Sequence, residues 1–96
     1  MVDSIPVPAE ALRQVAQGAA ESIDTDRTNG YKATARNKER ALSQAYTALN
    51  GHDGEYVSVQ SHVVSRLTAG ARASDSINQE YVDCCRHYLE QYGVWS

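Results

Sequence analysis

Apolar residues recur at intervals of three and four in the segment that follows Pro8. They are Leu12, Val15, Ala16, Ala19 and Ile23. This spacing lines one face of an α-helix, and proline suits the first helical turn. The pattern therefore predicts a first helix that starts at Pro8. Residues 24–30 contain no apolar residue and end in Asn29-Gly30, so we predict that they form the first loop.

A second helical stripe follows this loop. Its members are Tyr31, Ala35, Leu42, Ala45, Tyr46 and Leu49. The residues between them are mostly good helix formers, and Asn50-Gly51 is typical of a helix C-terminus. The sequence therefore predicts a second helix that ends at this pair, and residues 51–54 are expected to make a tight connection.

The segment 56–61 fits two interpretations. Its apolar and polar residues alternate and have strong β propensity, as in a strand. The same segment also begins a helical stripe, which consists of Tyr56, Val59, Val63 and Leu67. Residues 1–7, where prolines fix the backbone and remove donors, are expected to form an extended arm rather than a partner strand. Because an isolated strand leaves its backbone groups unpaired, we predict a third helix here.

The last helix is predicted from capping residues and a further stripe. Gly70 interrupts the preceding pattern, and Ser74, Asp75 and Ser76 are candidate N-caps. The stripe that follows, as far as Gly93, consists of Ile77, Tyr81, Cys84, Tyr88 and Tyr92. Residues 1–96 are thus expected to form a single all-α domain, a compact array of about four short helices.

The composition indicates that this domain has a thin core. Hydrophobic residues make up 42% of the chain, but thirteen of its 96 residues are alanine and none is phenylalanine. A core with few bulky groups is often completed by a partner or by a second copy of the chain. We therefore expect oligomerisation or partner binding to contribute to stability.

Two features indicate where the protein resides. No apolar run approaches the roughly 20 residues that cross a bilayer, and residues 1–8 lack the basic start and apolar stretch of a signal peptide. Cys84 and Cys85 are adjacent and can bridge only through a strained ring, so we expect free thiols, as in a reducing compartment. A cytoplasmic protein without membrane contact is the expectation.

Catalytic and cofactor-binding motifs are absent from the sequence. It contains no GxSxG, Walker A, GxGxxG, HExxH or CxxC pattern. Cys84, Cys85 and His87 are the densest cluster of candidate metal ligands, but zinc sites use spaced pairs of such residues. We therefore expect no enzyme activity, no cofactor and no bound metal.

Basic residues concentrate around the start of the second predicted helix. Five cations and one anion, Glu39, lie between positions 27 and 40, a net charge of +4 that leaves −7 for the rest of a chain whose net charge is −3. The candidate basic patch consists of Arg27, Lys32, Arg36 and Arg40. The last three share one helix face and suit phosphates or an acidic protein surface. The alternative interpretation is an ordinary solvated helix face.

A nucleic-acid hypothesis also has local support. Residues 57–61 and 64–66 resemble parts of the recognition helix of bacterial helix-turn-helix proteins. The preceding turn, residues 50–55, departs from that family because it is longer and carries two acidic groups. The resemblance implies a small DNA-binding regulator that uses the basic face of helix 2 or the third predicted helix. We keep this as the alternative function.

Aromatic residues concentrate at the other end of the chain. Tyr81, Tyr88, Tyr92 and Trp95 are four of its seven aromatic residues. Tyrosine and tryptophan combine a large apolar area with a polar tip, which suits both a core and a protein interface. We therefore expect a non-enzymatic protein-binding module, such as a small inhibitor, adaptor or regulatory protein, encoded by a phage or mobile element and acting against a bacterial system. The simplest partner is a second copy of the chain.

Overall fold

The computed structural model describes residues 3–51, 54–72 and 79–95. Within these ranges the chain forms two strands and four helices, and α1 is central because it packs against the other three helices and against β1. In chain order the elements are β1 (Ser4–Pro8), α1 (Ala9–Thr28), α2 (Lys32–Gly51), β2 (Tyr56–Gln60), α3 (Ser61–Ala71) and α4 (Gln79–Gln91). Over these ranges, no helix is both long enough and apolar enough to cross a membrane.

The stripe predicted for α1 is confirmed, but the loop predicted after it is too long. All five predicted apolar positions are buried. The helix nevertheless continues to Thr28, whose hydroxyl donates to the carbonyl oxygen of Asp24 at 2.9 Å. A polar segment can remain helical where its side chains face water. The turn that follows is made by Gly30, whose φ of 85° lies in the left-handed region that glycine adopts readily.

The second predicted helix is also confirmed, as α2. Ala35, Leu42, Ala45 and Leu49 lie on its buried face. The two tyrosines of the predicted stripe do not, because the Tyr31 and Tyr46 side chains are 60% and 42% exposed. Alanine therefore makes up half of the buried residues of the stripe, and α1 and α2 pack together mainly through small side chains.

The prediction of an all-α fold is wrong, because β1 and β2 form a two-stranded antiparallel sheet. Ile5 pairs with Val59 and Val7 with Val57, and all four side chains are buried. The residues between them face outwards from the core. This outer face of the sheet consists of Ser4, Pro6, Pro8, Tyr56, Ser58 and Gln60. The alternation seen in residues 56–61 was therefore the signal of a strand, and the segment resembling a recognition helix is a strand as far as Gln60.

The prolines of the N-terminal arm do not prevent pairing, because of where they fall in the register. Backbone bonds at the two ends of the ladder join Ser61 to Asp3 and Ala9 to Glu55. Antiparallel pairs alternate between hydrogen-bonded and non-hydrogen-bonded, so the even-numbered positions of β1 have their backbone nitrogens directed away from β2. Pro6 occupies such a position, where a missing donor costs no bond to β2. The predicted unpaired arm is therefore a paired strand.

Gly70 is the penultimate residue of α3, so the interruption predicted there lies one residue from the observed end of the helix at Ala71. It is buried, and a Cβ atom at this position would lie 3.3 Å from Ala19 Cβ and 3.3 Å from Lys38 Cε. These distances are tighter than most Cβ contacts, so glycine allows α3 to approach α1 and α2 closely. The residue therefore lies at the end of α3 and also marks a packing contact.

The buried face of α4 is displaced from the predicted stripe by one residue. Val82, Cys85 and Leu89 are buried, whereas Tyr81 and Cys84 are only partly buried. The predicted stripe followed the large aromatic side chains, but the smaller aliphatic groups fit against α1 and α3. The predicted N-caps Ser74, Asp75 and Ser76, and Ile77, lie outside the described residues.

Candidate functional site

The predicted basic patch is divided between two parts of the surface. Arg27 forms an ion pair with Glu39, and both side chains line a hollow of about 320 Å³ together with Lys32 and Arg36. Arg40 lines a different hollow, between α2 and α3. The four predicted residues are therefore on the surface, but the structure does not bring them into one cluster.

Lys38, the fifth cation of this region, is used inside the fold. Its ammonium group donates to Asp26 at 2.6 Å and to the Ser22 hydroxyl at 3.0 Å. The Lys38 and Asp26 side chains are only 13% and 15% exposed. This ion pair joins α2 to α1, so Lys38 contributes little charge to the surface.

Two adjoining hollows, which share Gln44, form what we call the polar groove. The first, of about 440 Å³, is lined by Ser4, Ser43, Gln44, Thr47, Ala48, Ser58, Val59 and Gln60. The second, of about 240 Å³, is lined by Asn37, Arg40, Ala41, Gln44, His62 and Arg66. The groove follows α2 from the outer face of the sheet to the first turns of α3. Hydroxyl and amide groups dominate one end, and two guanidinium groups lie at the other.

No carboxylate lines the polar groove, as far as the structure describes the chain. Arg40 and Arg66 come from different helices, and neither forms an ion pair with a described residue. His62 shares a hydrogen bond of 2.8 Å with Gln60, which links the two hollows. The groove therefore offers hydrogen-bond donors and positive charge without a competing acidic group.

The four predicted aromatic residues all pack against the edge of the core and remain partly exposed. Trp95 is tied to α3, because its indole N–H donates to the Ser65 hydroxyl at 2.6 Å. Tyr88 instead contacts Tyr56, a residue that the sequence reasoning did not select. The structure therefore does not present the predicted series as one uniform surface.

The contact between Tyr56 and Tyr88 defines what we call the tyrosine surface, which also includes His87. The two tyrosine rings meet edge to face with centroids 6.4 Å apart, and His87 packs in the same way on Tyr88 at 5.8 Å. The hydrogen bond to the Tyr56 phenol, followed by desolvation, raises the pKa of Tyr88 to about 12. The raised pKa favours the protonated phenol of Tyr88, whose ring packs edge to face against that of Tyr56.

A hollow of about 430 Å³ lies beside the tyrosine surface. It is lined by Pro8, Ala9, Glu10, Arg13, Gly54, Glu55 and Tyr56. Arg13 donates to Glu10 at 2.8 Å, and both side chains are about half exposed. The lining thus combines apolar atoms, an aromatic ring and both signs of charge, which is the mixture found at protein interfaces.

The two cysteines are unsuited to nucleophilic chemistry. Burial raises the pKa of the Cys85 thiol to about 12, with the neighbouring Cys84 adding to the effect. Burial also raises the pKa of Cys84. Since the thiolate is the reactive form, both groups are held in the unreactive state near neutral pH. In the parts of the chain that are described, no three His, Cys, Asp or Glu residues group together as metal ligands.

Comparison of the chain with protein-family models, with curated proteins and with solved structures finds no match.

Sequence reasoning missed the residues that tertiary structure adds to each surface. Tyr56 reaches Tyr88 only because β2 pairs with β1, and no spacing in the sequence relates the two. Arg66 and Arg40 are far apart in sequence and come together through the packing of α3 on α2. The sequence does contain one indication of the polar groove, since residues 56–72 include two arginines and no acidic residue.

Proposed function

We propose that this chain is a non-enzymatic protein-binding module, of the kind that serves as a small inhibitor, adaptor or regulatory protein. We propose further that the partner binds at the tyrosine surface and the hollow beside it. The observation that carries the proposal is the Tyr56 side chain, which is 55% exposed although its ring is fixed against Tyr88.

A fixed aromatic side chain on the surface suits protein binding for an energetic reason. Tyrosine has few rotatable bonds and a large contact area, so it loses little entropy when a partner covers it. The Pro8–Tyr56 register fixes the backbone below the ring, and Tyr88 fixes the ring itself. The cost of ordering this side chain is therefore already met by folding.

The charges beside the tyrosine surface favour a polypeptide over a polyanion. Glu10 and Glu55 line the adjacent hollow, together with Arg13. Two carboxylates would repel phosphate groups, whereas the side chains and backbone of a polypeptide can satisfy both signs of charge. The raised pKa values of Cys84 and Cys85 support a role without nucleophilic catalysis. Two unbridged thiols in a chain of this size also favour a reducing compartment, and we propose the cytoplasm.

The test is capture of a partner from a bacterial lysate, with nuclease treatment to remove complexes bridged by nucleic acid. Tyr56→Ala should reduce recovery of the partner by roughly 30-fold, since truncating a central interface tyrosine typically costs about 2 kcal/mol or more. Tyr46→Ala is the matched control, because Tyr46 is also an exposed tyrosine, 42% exposed, but lies on α2.

The result expected from the control is recovery equal to that of the unchanged protein. Equal recovery with Tyr56→Ala would show that the partner binds elsewhere. Sedimentation over a range of protein concentrations separates a different partner from a second copy of the chain, and Tyr56→Ala should abolish any dimer that uses this surface. Both variants need an unchanged far-ultraviolet circular dichroism spectrum for the comparison to stand.

A further inference from the structure

We propose that the polar groove is a second binding site, which binds the phosphodiester backbone of double-stranded DNA. This site is separate from the tyrosine surface and does not depend on the function proposed for that surface. Three properties of the groove and of α2 carry the proposal: the convergence of two arginines, the distribution of charge over the whole fold, and the shape and chemistry of the lining.

Arg40 and Arg66 provide the central contact. Both are exposed, they line the same hollow, and the carboxylates of the described residues are all elsewhere. Two guanidinium groups that line one hollow repel each other, and an anion between them offsets that repulsion. Arginine also matches the geometry of phosphate oxygens through paired hydrogen bonds. A phosphate group is therefore the natural ligand at this end of the groove.

Positive and negative charges lie mostly on different elements of the fold, and most of the positive ones lie on the elements that form the polar groove. α2 and residues 56–72 carry six cations and one anion, whereas α1 and α4 carry three cations and seven anions. The single anion, Glu39, is paired with Arg27, and Lys38 is taken up by Asp26. Among the described residues, the other cations leave the α2–α3 side positive, although the net charge of the chain is −3. A polyanion would therefore bind in one orientation, with this side towards it.

Neutral hydrogen-bonding groups line the rest of the groove. Ser43, Gln44 and Thr47 lie on α2, and Ser58 and Gln60 face them from the sheet. Hydroxyl and amide groups, together with arginine, make many of the contacts that proteins form with phosphates and sugars. A repeating nucleic-acid backbone can contact the whole of this lining as well as the arginines, whereas a single small anion would leave most of the lining unused.

The form of the surface favours a DNA duplex over other nucleic acids. No tyrosine or tryptophan lines either hollow among the described residues, so the groove lacks the large aromatic side chains on which successive single-stranded bases stack. α2, which carries one wall of the polar groove, has 20 residues and a length of about 30 Å, with Arg40 on its exposed side. The major groove of B-DNA admits such a helix, whereas that of an RNA duplex is too narrow.

The experiment measures fluorescence anisotropy of a labelled DNA duplex over a series of salt concentrations. The unchanged protein should bind at low salt, with affinity that falls steeply as salt is added. Arg40→Gln combined with Arg66→Gln should weaken binding roughly tenfold or more and flatten the salt dependence by about two units of slope, one for each lost phosphate contact.

The matched control combines Arg13→Gln with Arg86→Gln. It removes the same charge, but from exposed arginines of α1 and α4 that are paired with carboxylates. Its DNA affinity should stay within about twofold of the unchanged protein, because these side chains are outside the groove. An equal loss in both double variants would overturn the proposal, since it would show an effect of net charge alone.

A second variant distinguishes a loss of DNA binding from a loss of folding. Ser43→Glu places a carboxylate in the groove at an exposed helical position, which suits glutamate, and it should weaken duplex binding while thermal unfolding is unchanged. No effect of Ser43→Glu on duplex binding would contradict the groove as the site.

Competing ligands complete the test. Absence of duplex binding at low salt, or stronger binding of single-stranded DNA, duplex RNA or polyglutamate, would overturn the proposal. Tyr56→Ala should bind DNA normally, so a failure of the tyrosine surface and a failure of the groove are distinguishable.

Discussion

At one end of the sheet's outer face, Tyr56 and Pro8 lie beside the ion pair of Glu10 and Arg13. At the other end of the same two strands, Ser4 pairs with Gln60, and the adjoining hollows are lined by hydroxyls, amides and arginines, with no carboxylate among the described lining residues. The first end suits a polypeptide, whereas the second suits a phosphate backbone.

This difference arises from the register of one short sheet. The alternation that turns the isoleucine and valine side chains inwards also turns every intervening residue outwards. Those outer residues are free to differ, because they make no contribution to the core. Two binding chemistries can therefore share one scaffold, and each can be changed without altering the other.

A substitution that weakens the sheet should impair both ends of its outer face, because both ends depend on the same two strands. Ile5 is fully buried and pairs with Val59, so Ile5→Ala removes core contacts that support the whole outer face. We expect the free energy of unfolding to fall by about 2–5 kcal/mol, as for other large-to-alanine changes in a core. Urea denaturation measures this loss. Ser58→Ala, on the outer face of the same sheet, should change stability by less than about 0.5 kcal/mol.

A loss below about 1 kcal/mol for Ile5→Ala would show that the β1–β2 pairing contributes little to the fold. In that case the two ends of the outer face would need another source of rigidity.

Most of the helical structure could be predicted from the sequence, and the sheet could not. α1 and α2 are long enough for a repeating stripe, so the spacing of residues such as Leu12 and Leu42 determined the prediction. β2 is only five residues long, and its partner contains two prolines and is distant in sequence. Propensity indicated a strand correctly, but the pairing that stabilises it depends on where Pro6 falls in the register.

The candidate surfaces were predictable only in part. Tyr88 and Arg40 were selected because composition draws attention to aromatic and basic residues. Their structural partners, Tyr56 and Arg66, come from other elements of the fold, so no local pattern could have joined them. The face of α4 was placed one residue away from Cys85, because residue size alone does not determine which side chains fit a nearly filled core.

The Lys38–Asp26 ion pair should stabilise the fold on the polar-groove side, because it fixes α2, which carries one wall of the polar groove. Lys38→Met keeps the stem of the side chain but leaves the 15% exposed Asp26 carboxylate without its cation. We expect a loss of about 1–3 kcal/mol in the free energy of unfolding, since an almost buried charge would lose its partner. Chemical denaturation at two salt concentrations measures the effect.

The control for that ion pair is Arg86→Met on α4. It breaks the pair with Glu90, but both of those side chains are about half exposed. Exposed pairs of this kind contribute between about 0 and 1 kcal/mol, and added salt should remove the difference. Equal losses in the two variants would contradict a structural role for Lys38.

The smallest expected effect concerns the Tyr56–Tyr88 hydrogen bond, at the aromatic end of the sheet's outer face. In the fold the pKa of Tyr88 is raised from an ordinary value of 10.0 to about 12, and the hydrogen bond to Tyr56 is the largest cause. The folded state therefore favours the protonated phenol. Its contribution to stability is fully present below pH 10.0 and is lost as the pH rises towards about 12.

Tyr56→Phe keeps the ring but removes the hydroxyl that raises the pKa of Tyr88. The pKa of Tyr88 should then fall towards its ordinary value, and the stability difference from the unchanged protein should disappear over the same alkaline range. Nuclear magnetic resonance of ¹³C-labelled tyrosine, with the Tyr88 signal assigned through Tyr88→Phe, follows this titration separately from the others. Tyr46→Phe should leave it unchanged. If Tyr88 titrates identically with and without the Tyr56 hydroxyl, the ring of Tyr56 is held by packing alone, and the aromatic end of the sheet is less fixed than the geometry indicates.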